Sequence, residues 1–257
     1  LAGPAISGLV LVKFGAGLCF LLNAISFVAV IISQLLIRLP AYIPQRSETK
    51  IGSELSEGFT YLKNTPSISM IMLMVSFTSL LVLPYNTLMP IFAKVIFNGN
   101  AATFGYINSF IGAGAVGGSI FLASLKKDVD LKLILLVNTV IFGISLLLFS
   151  HIVNFPLAMA VVTLSGFGEM SQITISMTLI QLYSAKEMRG RVMSYMAMAY
   201  FGMLPLGSLL VGALSHKLGA PNTILCEGVT ALIIAAFFSG FLRSDRQELK
   251  EKNHSIN

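Results

Sequence analysis

Charge is the first thing this sequence lacks. Asp, Glu, Lys and Arg together make up 11% of its 257 residues, against 55% for the apolar class. A water-facing domain carries roughly a quarter charged residues, so most of this surface meets something other than water. Cysteine is scarce as well. Cys19 and Cys226 lie far apart in apolar stretches, which gives neither a disulfide framework nor a cysteine-built metal site. Three scattered histidines add no ligand cluster, and tryptophan is missing although Phe occurs 18 times and Met 12. Any aromatic belt at a membrane interface is therefore built without Trp. No Ser–His–Asp, Cys–His or paired-carboxylate arrangement and no Walker sequence stands out. That argues against an enzyme, an ATP-driven engine and a bound metal or cofactor.

What the sequence has is apolar runs. After a stub at residues 1–12 they cover 15–37, 67–92, 102–124, 132–150, 156–180, 192–215 and 221–242. At about 1.5 Å per residue, the seven runs after the stub are long enough, or nearly so, to cross a bilayer. The shortest, 132–150, stays within what local thinning tolerates. The pattern predicts an all-α polytopic membrane protein, because buried helices of a large soluble domain would need a polar outer layer. The apolar opening has no basic n-region, so it reads as the interior of a longer protein rather than a signal peptide.

The net charge of +6 sits in the short breaks between runs. It forms no face or stripe, so nucleic acid is not expected as a partner. With residues 38–66 on the cytoplasmic side, the breaks on that side hold Arg38, Arg46, Lys50, Lys63, Lys126, Lys127, Lys132, Lys186, Arg189, Arg191, Arg243, Arg246, Lys250 and Lys252. Only Lys13, Lys94 and Lys217 fall on the other side. Fourteen against three is a positive-inside pattern, and it puts the C-terminus in the cytoplasm. The loop at 39–66 contains Pro40, Pro44, Glu48, Glu54 and Glu57, and reads as a linker between two helical bundles. Within it, Gly52 to Lys63 has Leu55, Phe59 and Leu62 at the spacing of an amphipathic surface helix. The residues from Ser244 onward form a polar tail expected to fray. A weak repeat supports two bundles: Gly3, Gly8, Lys13, Gly15 and Ala16 recur 204 positions later as Gly207, Gly212, Lys217, Gly219 and Ala220.

Within the runs, Glu169 is the most informative residue, with Gln172 three positions on and on the same helix face. A carboxylate at membrane depth is costly and belongs in a bundle interior or a wet cavity, where it exchanges a proton or binds substrate. The plainer reading is a structural hydrogen bond to a neighbouring helix. Glu227, near the start of the last run, either joins that role or simply reaches the interface. Pro84–Tyr85–Asn86, followed by Pro90, falls in mid-span. Pro84 permits a kink, and Tyr85 and Asn86 either line a cavity or bond between helices. Asn23, Asn108 and Asn138 pose the same question. Gly105, Gly112, Gly114, Gly117 and Gly118 lack the βαβ context of a nucleotide fingerprint and instead permit close helix approach. Arg189 and Arg191 precede a span, where they anchor on lipid phosphate or form a gating ion pair.

Three stretches resemble the major facilitator superfamily, in particular its bacterial branch of macrolide and siderophore exporters. Gly3–Pro4–Ala5–Ile6–Ser7–Gly8 resembles the end of the antiporter motif in the fifth helix, with Ser7 in place of a glycine. Glu187–Met188–Arg189–Gly190–Arg191–Val192–Met193–Ser194 is similar to a stretch between the tenth and eleventh helices. Gly114, Gly117 and Gly118 followed by Lys126 and Lys127 resemble a degraded second copy of the cytoplasmic loop motif, with Asp128 and Asp130 near the acidic place. The resemblance implies a twelve-helix fold of which this sequence supplies the end of helix 5 through helix 12. Residues 1–38 would then close the N-terminal bundle, 39–66 form the cytoplasmic central loop, 67–243 the C-terminal six-helix bundle, and 244–257 a cytoplasmic tail. It also implies alternating access in the bacterial inner membrane, with export of a hydrophobic or amphiphilic drug, macrolide or siderophore in exchange for protons. Membrane lipid would be the remaining partner, and a monomer is usual for that superfamily. The alternatives are an importer of a metabolite, which calls for more buried polar capacity, and a membrane protein that transports nothing.

Overall fold

A computed structural model describes residues 10, 14–37, 51–126 and 129–254, with side chains for all of these except 16, 51–55 and 243–254. Among the described residues there are ten α-helices and no strand. They are α1 (Ala16–Leu36), α2 (Ile51–Lys63), α3 (Pro66–Leu81), α4 (Met89–Ile91), α5 (Ala101–Ala123), α6 (Leu131–Phe149), α7 (Phe155–Tyr183), α8 (Arg189–Ala197), α9 (Met203–Leu218) and α10 (Ala220–His254). Short polar residues set the starts. The Asn100 side chain accepts hydrogen bonds from the backbone N–H groups of Ala102 and Thr103, while Thr103 Oγ1 accepts from the Asn100 N–H. Asp130 caps α6 and Asn154 caps α7 in the same manner, each satisfying donors that an apolar residue would leave bare at the membrane edge.

Two spans are broken. α3 stops at Leu81, and a 3-10 stretch, Leu83–Leu88, leads through α4 into a π-turn at Phe92–Ile96. Pro84 is the cause: it has no N–H for the Leu80 carbonyl and cannot continue an α-helix there. That carbonyl faces Gly207 of α9, where any Cβ would overlap it. A glycine therefore lets one helix approach the backbone group that a proline in the other has freed. The second break is a π-turn at Met198–Gly202, joining α8 to α9.

Counted with these breaks, six stretches are long and apolar enough to cross a membrane: Gly17–Leu36, Pro66–Ile96, Ala101–Ala123, Leu131–Phe149, Arg189–Leu218 and Ala220–Leu242. The sequence predicts a seventh over 156–180. α7 occupies that place, and its 29 residues reach about 44 Å, ample for a bilayer. It falls short in apolarity, because Ser165, Gly166, Gly168, Glu169, Ser171, Gln172, Thr174 and Ser176 occupy its middle. The packing explains why. α7 lies against α3, α5, α6 and α8, so its polar middle meets protein.

The closest seam joins α5 to α7. A Cβ at Gly114 would overlap the Thr163 carbonyl, one at Gly166 the Ile111 carbonyl, and one at Gly118 would stand 2.8 Å from the Phe167 carbonyl. Gly114 and Gly118 thus do what their spacing predicts, whereas Gly117 has only ordinary contact with the Phe167 ring. α6 packs between α7 and α10, and an aromatic cluster of Phe92, Phe97, Phe149 and Phe155 fills one end of the bundle.

Three readings of the sequence are adjusted. In α2 the buried side is Gly58 and Leu62, while Phe59 is 63% exposed and points away. The tail expected to fray continues as helix to His254. α1 is apolar as predicted, yet none of its described side chains is buried against the rest. Gly15 and Gly219, paired by the repeat, share one backbone conformation, with φ of +81° and +80°. Each immediately precedes a helix, α1 or α10, which gives the repeat a structural counterpart.

Candidate functional site

The polar groups converge where α7 meets the two broken spans. Glu169 projects from the middle of α7, and the Tyr85 hydroxyl donates to its Oε2 at 2.8 Å. Tyr85 is fully buried, held edge-on to Phe142 of α6 at 5.6 Å between ring centres. The 3-10 stretch delivers that hydroxyl, since Pro84 starts the turn that aims residue 85 inward. Gln172, one turn along α7, donates from Nε2 to Thr78 Oγ1 of α3 at 3.1 Å. Val75, Thr78, Ser79, Leu83, Glu169, Gln172, Ile173, Ser176 and Tyr200 line a small pocket of about 10 Å³ beside them, room for about one water. Tyr200 belongs to the π-turn, so both irregular segments border Glu169. Non-helical backbone at membrane depth is tolerated where it is buried in protein or lines a cavity, and π-turns recur at functional sites.

The pocket has spare hydrogen-bonding capacity. The hydroxyls of Ser79 and Ser176 are buried, and among the described residues neither oxygen has a partner. One acidic group, an amide and several hydroxyls in an apolar frame make a small polar patch suited to orienting a proton-carrying water.

The predicted residues divide. Glu169, Gln172 and Tyr85 come together. Asn86, although exposed, joins them, with its side chain hydrogen-bonded toward both Glu169 and Tyr85. Asn108 and Asn138 donate to carbonyls of their own helices, those of Phe104 and Ile134, and do not line the pocket. Asn23 lies on α1, exposed. Glu227 is buried on α10, outside the pocket. Arg191 donates to Glu57 of α2 at 2.6 Å, while Arg189 and Lys126 are exposed. Gly3, Pro4, Ser7, Gly8 and Lys127 lie outside the described residues. Thr78, Ser79, Ser176 and Tyr200 are site residues that the sequence reading omits. Ser176 was findable, because it continues the 169, 172, 176 row on one face of α7. Thr78 and Ser79 had no such signal, since their place depends on how α3 docks.

Six helices apolar enough to span a membrane, and a polar α7 packed against α3, α5, α6 and α8 with a half-buried carboxyl beside two helix breaks, describe a multi-pass membrane protein of the major facilitator type. The chain belongs to the family described as transmembrane secretion effector, which it matches over residues 1–256. It is also similar to the staphyloferrin A transporter of Staphylococcus aureus, at 28% identity over 266 aligned positions. That match takes in 99% of this chain and 63% of the relative, so the chain spans less than two thirds of that protein's length. Both matches point to a transporter.

Proposed function

We propose that the protein carrying this sequence is a secondary transporter that exports hydrophobic or amphiphilic small molecules by alternating access, in exchange for protons. The observation that carries the reading is Glu169, a carboxyl in the middle of the central span, hydrogen-bonded to Tyr85 and bordering a pocket with unsatisfied hydroxyls. A carboxyl so placed can take up a proton when it faces one side of the membrane and release it to the other. Tyr85 and Tyr200 report its state to the two broken segments, the places where a span bends most readily. The family description favours export. The relative's name directs attention, among the compound classes considered, to siderophores. A bacterial inner-membrane location, a cytoplasmic C-terminus and a central loop at 39–66 complete the proposal. Within it, the Arg191–Glu57 pair ties that loop to the cytoplasmic end of α8.

The test is efflux from sealed vesicles bearing the full-length protein, screened across dyes, macrolides and a siderophore, with and without an imposed proton gradient. Gradient-driven efflux is expected in the wild type and should fall to background in Glu169→Gln. Efflux unchanged in that variant reduces Glu169 to a packing group. Gradient-driven accumulation inside right-side-out vesicles would favour the importer reading.

A further inference from the structure

Glu227 carries an argument of its own. On α10 it stands in the row Ala220, Ile224, Glu227, Ala231, Ala235 and Phe238, whose spacing of three and four turns every member to one side. All the others are buried apolar residues. Glu227 is itself only 3% exposed, and among the described residues neither carboxyl oxygen has a hydrogen-bond partner.

Among the described residues the packed elements offer no charged group to pair it with. α10 packs against α6, α3, α9 and the 3-10 stretch Leu83–Leu88. α6 carries Lys132 at its first turn and is followed by His151 beyond its last, α3 has no titratable residue, and α9 holds His216 and Lys217 at its end. The 3-10 stretch contributes Tyr85, whose hydroxyl is donated to Glu169. Toward α6 the way is closed by backbone. A Cβ on Gly228 would stand 2.9 Å from the Leu147 nitrogen and 3.0 Å from the Gly143 oxygen, and one on Gly143 would stand 3.1 Å from the Gly228 oxygen. The movable neighbour is the 3-10 stretch, whose hydrogen bonds are poorer than those of the helix around it.

A carboxylate with no partner does not persist at membrane depth; the group is kept neutral by a proton. Packing supplies no reason for a carboxyl in this row, because leucine would fill it without orphaned oxygens. We infer that Glu227 is a second proton-binding site, separate from Glu169, that holds its proton in the conformation seen here. It gives the proton to water as hydronium when the 3-10 stretch Leu83–Leu88 moves off α10. The inference rests on the reading of the protein as a proton-coupled transporter and adds a second place where the coupled proton is held.

The test is infrared spectroscopy of the full-length protein in a lipid film, following the C=O stretch of protonated carboxyls from mildly acidic to alkaline pH. A band absent from Glu227→Gln, shifted in Glu227→Asp, and still present in Glu169→Gln is expected, and it should lose intensity reversibly as pH rises. A Glu227-dependent band that keeps full intensity throughout marks a permanently neutral packing group and overturns the proposal. No such band at any pH overturns it too, since Glu227 is then never protonated. The vesicle assay separates this from the parent reading. Absent gradient-driven efflux with a titrating Glu227 band removes the exporter and leaves the proton site, and the converse removes only the site.

Discussion

Glu169 and Glu227 are both interior carboxyls of one helical bundle, and they are buried in opposite ways. Glu169 has a donor at 2.8 Å, a pocket at its side and a helix rich in hydroxyls and glycine. Among the described residues Glu227 has neither a hydrogen-bond partner nor a pocket beside it, and its row is otherwise apolar. The first arrangement lowers the cost of having a charge inside the membrane. The second maximises it. A group that must change charge within a cycle benefits from the first, whereas a group that must hold its proton until the protein changes shape benefits from the second.

The largest effect is expected in transport, where Glu169→Gln removes gradient-driven efflux from sealed vesicles. Stability provides the next, because the two sites predict opposite signs. Replacing Glu227 by Leu removes an orphaned carboxyl and should stabilise the protein by about 1–3 kcal/mol. Replacing Glu169 by Leu leaves the buried Tyr85 hydroxyl without its acceptor and should cost about 1–3 kcal/mol. The midpoint of heat-induced loss of the monodisperse peak, followed by size exclusion in detergent, reads both. A shift of the same sign in both variants would erase the distinction. Tyr85→Phe comes next. It removes the donor and keeps the ring against Phe142, so it should cost about 1 kcal/mol and slow gradient-driven efflux without abolishing it. An effect as large as that of Glu169→Gln would make Tyr85 an equal member of the proton route.

Much of this was legible in the sequence. Pro84 in mid-run marked a break, the i, i+4 glycines 114 and 118 marked a close approach to another helix, and Glu169 marked the candidate site. The local rule was sufficient in each case: a missing N–H, a missing Cβ, a charge too costly for lipid. Illegible were facts that depend on which helices become neighbours. Seven residues into its helix, Glu227 looks close enough to the interface to reach water. Its burial follows from α6 and α10 meeting at Gly143 and Gly228, a pairing no local pattern announces. Tyr200 is similar, an aromatic in an apolar run until the π-turn aims it at the pocket. α7 shows the reverse error. Scored on apolarity alone it is the weakest span, yet its polarity is the mark of its central position.

The smallest expected effect lies at the surface, away from both carboxyls, and it tests whether charge contributes only where water is excluded. Arg191 and Glu57 join α8 to α2 at 2.6 Å, but Glu57 is 60% exposed, so solvent screens the attraction. α2 is docked by other means. Leu62 is buried, the Tyr61 hydroxyl accepts from the Ala185 N–H at 3.0 Å, and Gly58 leaves room for the Tyr195 ring. Glu57→Lys alone and Arg191→Glu alone should each lower stability by less than about 1 kcal/mol, and the exchanged pair should recover most of that. A substitution of Leu62 by Ala should cost about 2–3 kcal/mol, because it removes buried apolar volume. If the charge reversals instead cost as much as Leu62→Ala, and the exchange restores them, the pair is shielded from water as the interior groups are. The contrast between Glu169 and Glu227 would then extend to the membrane surface.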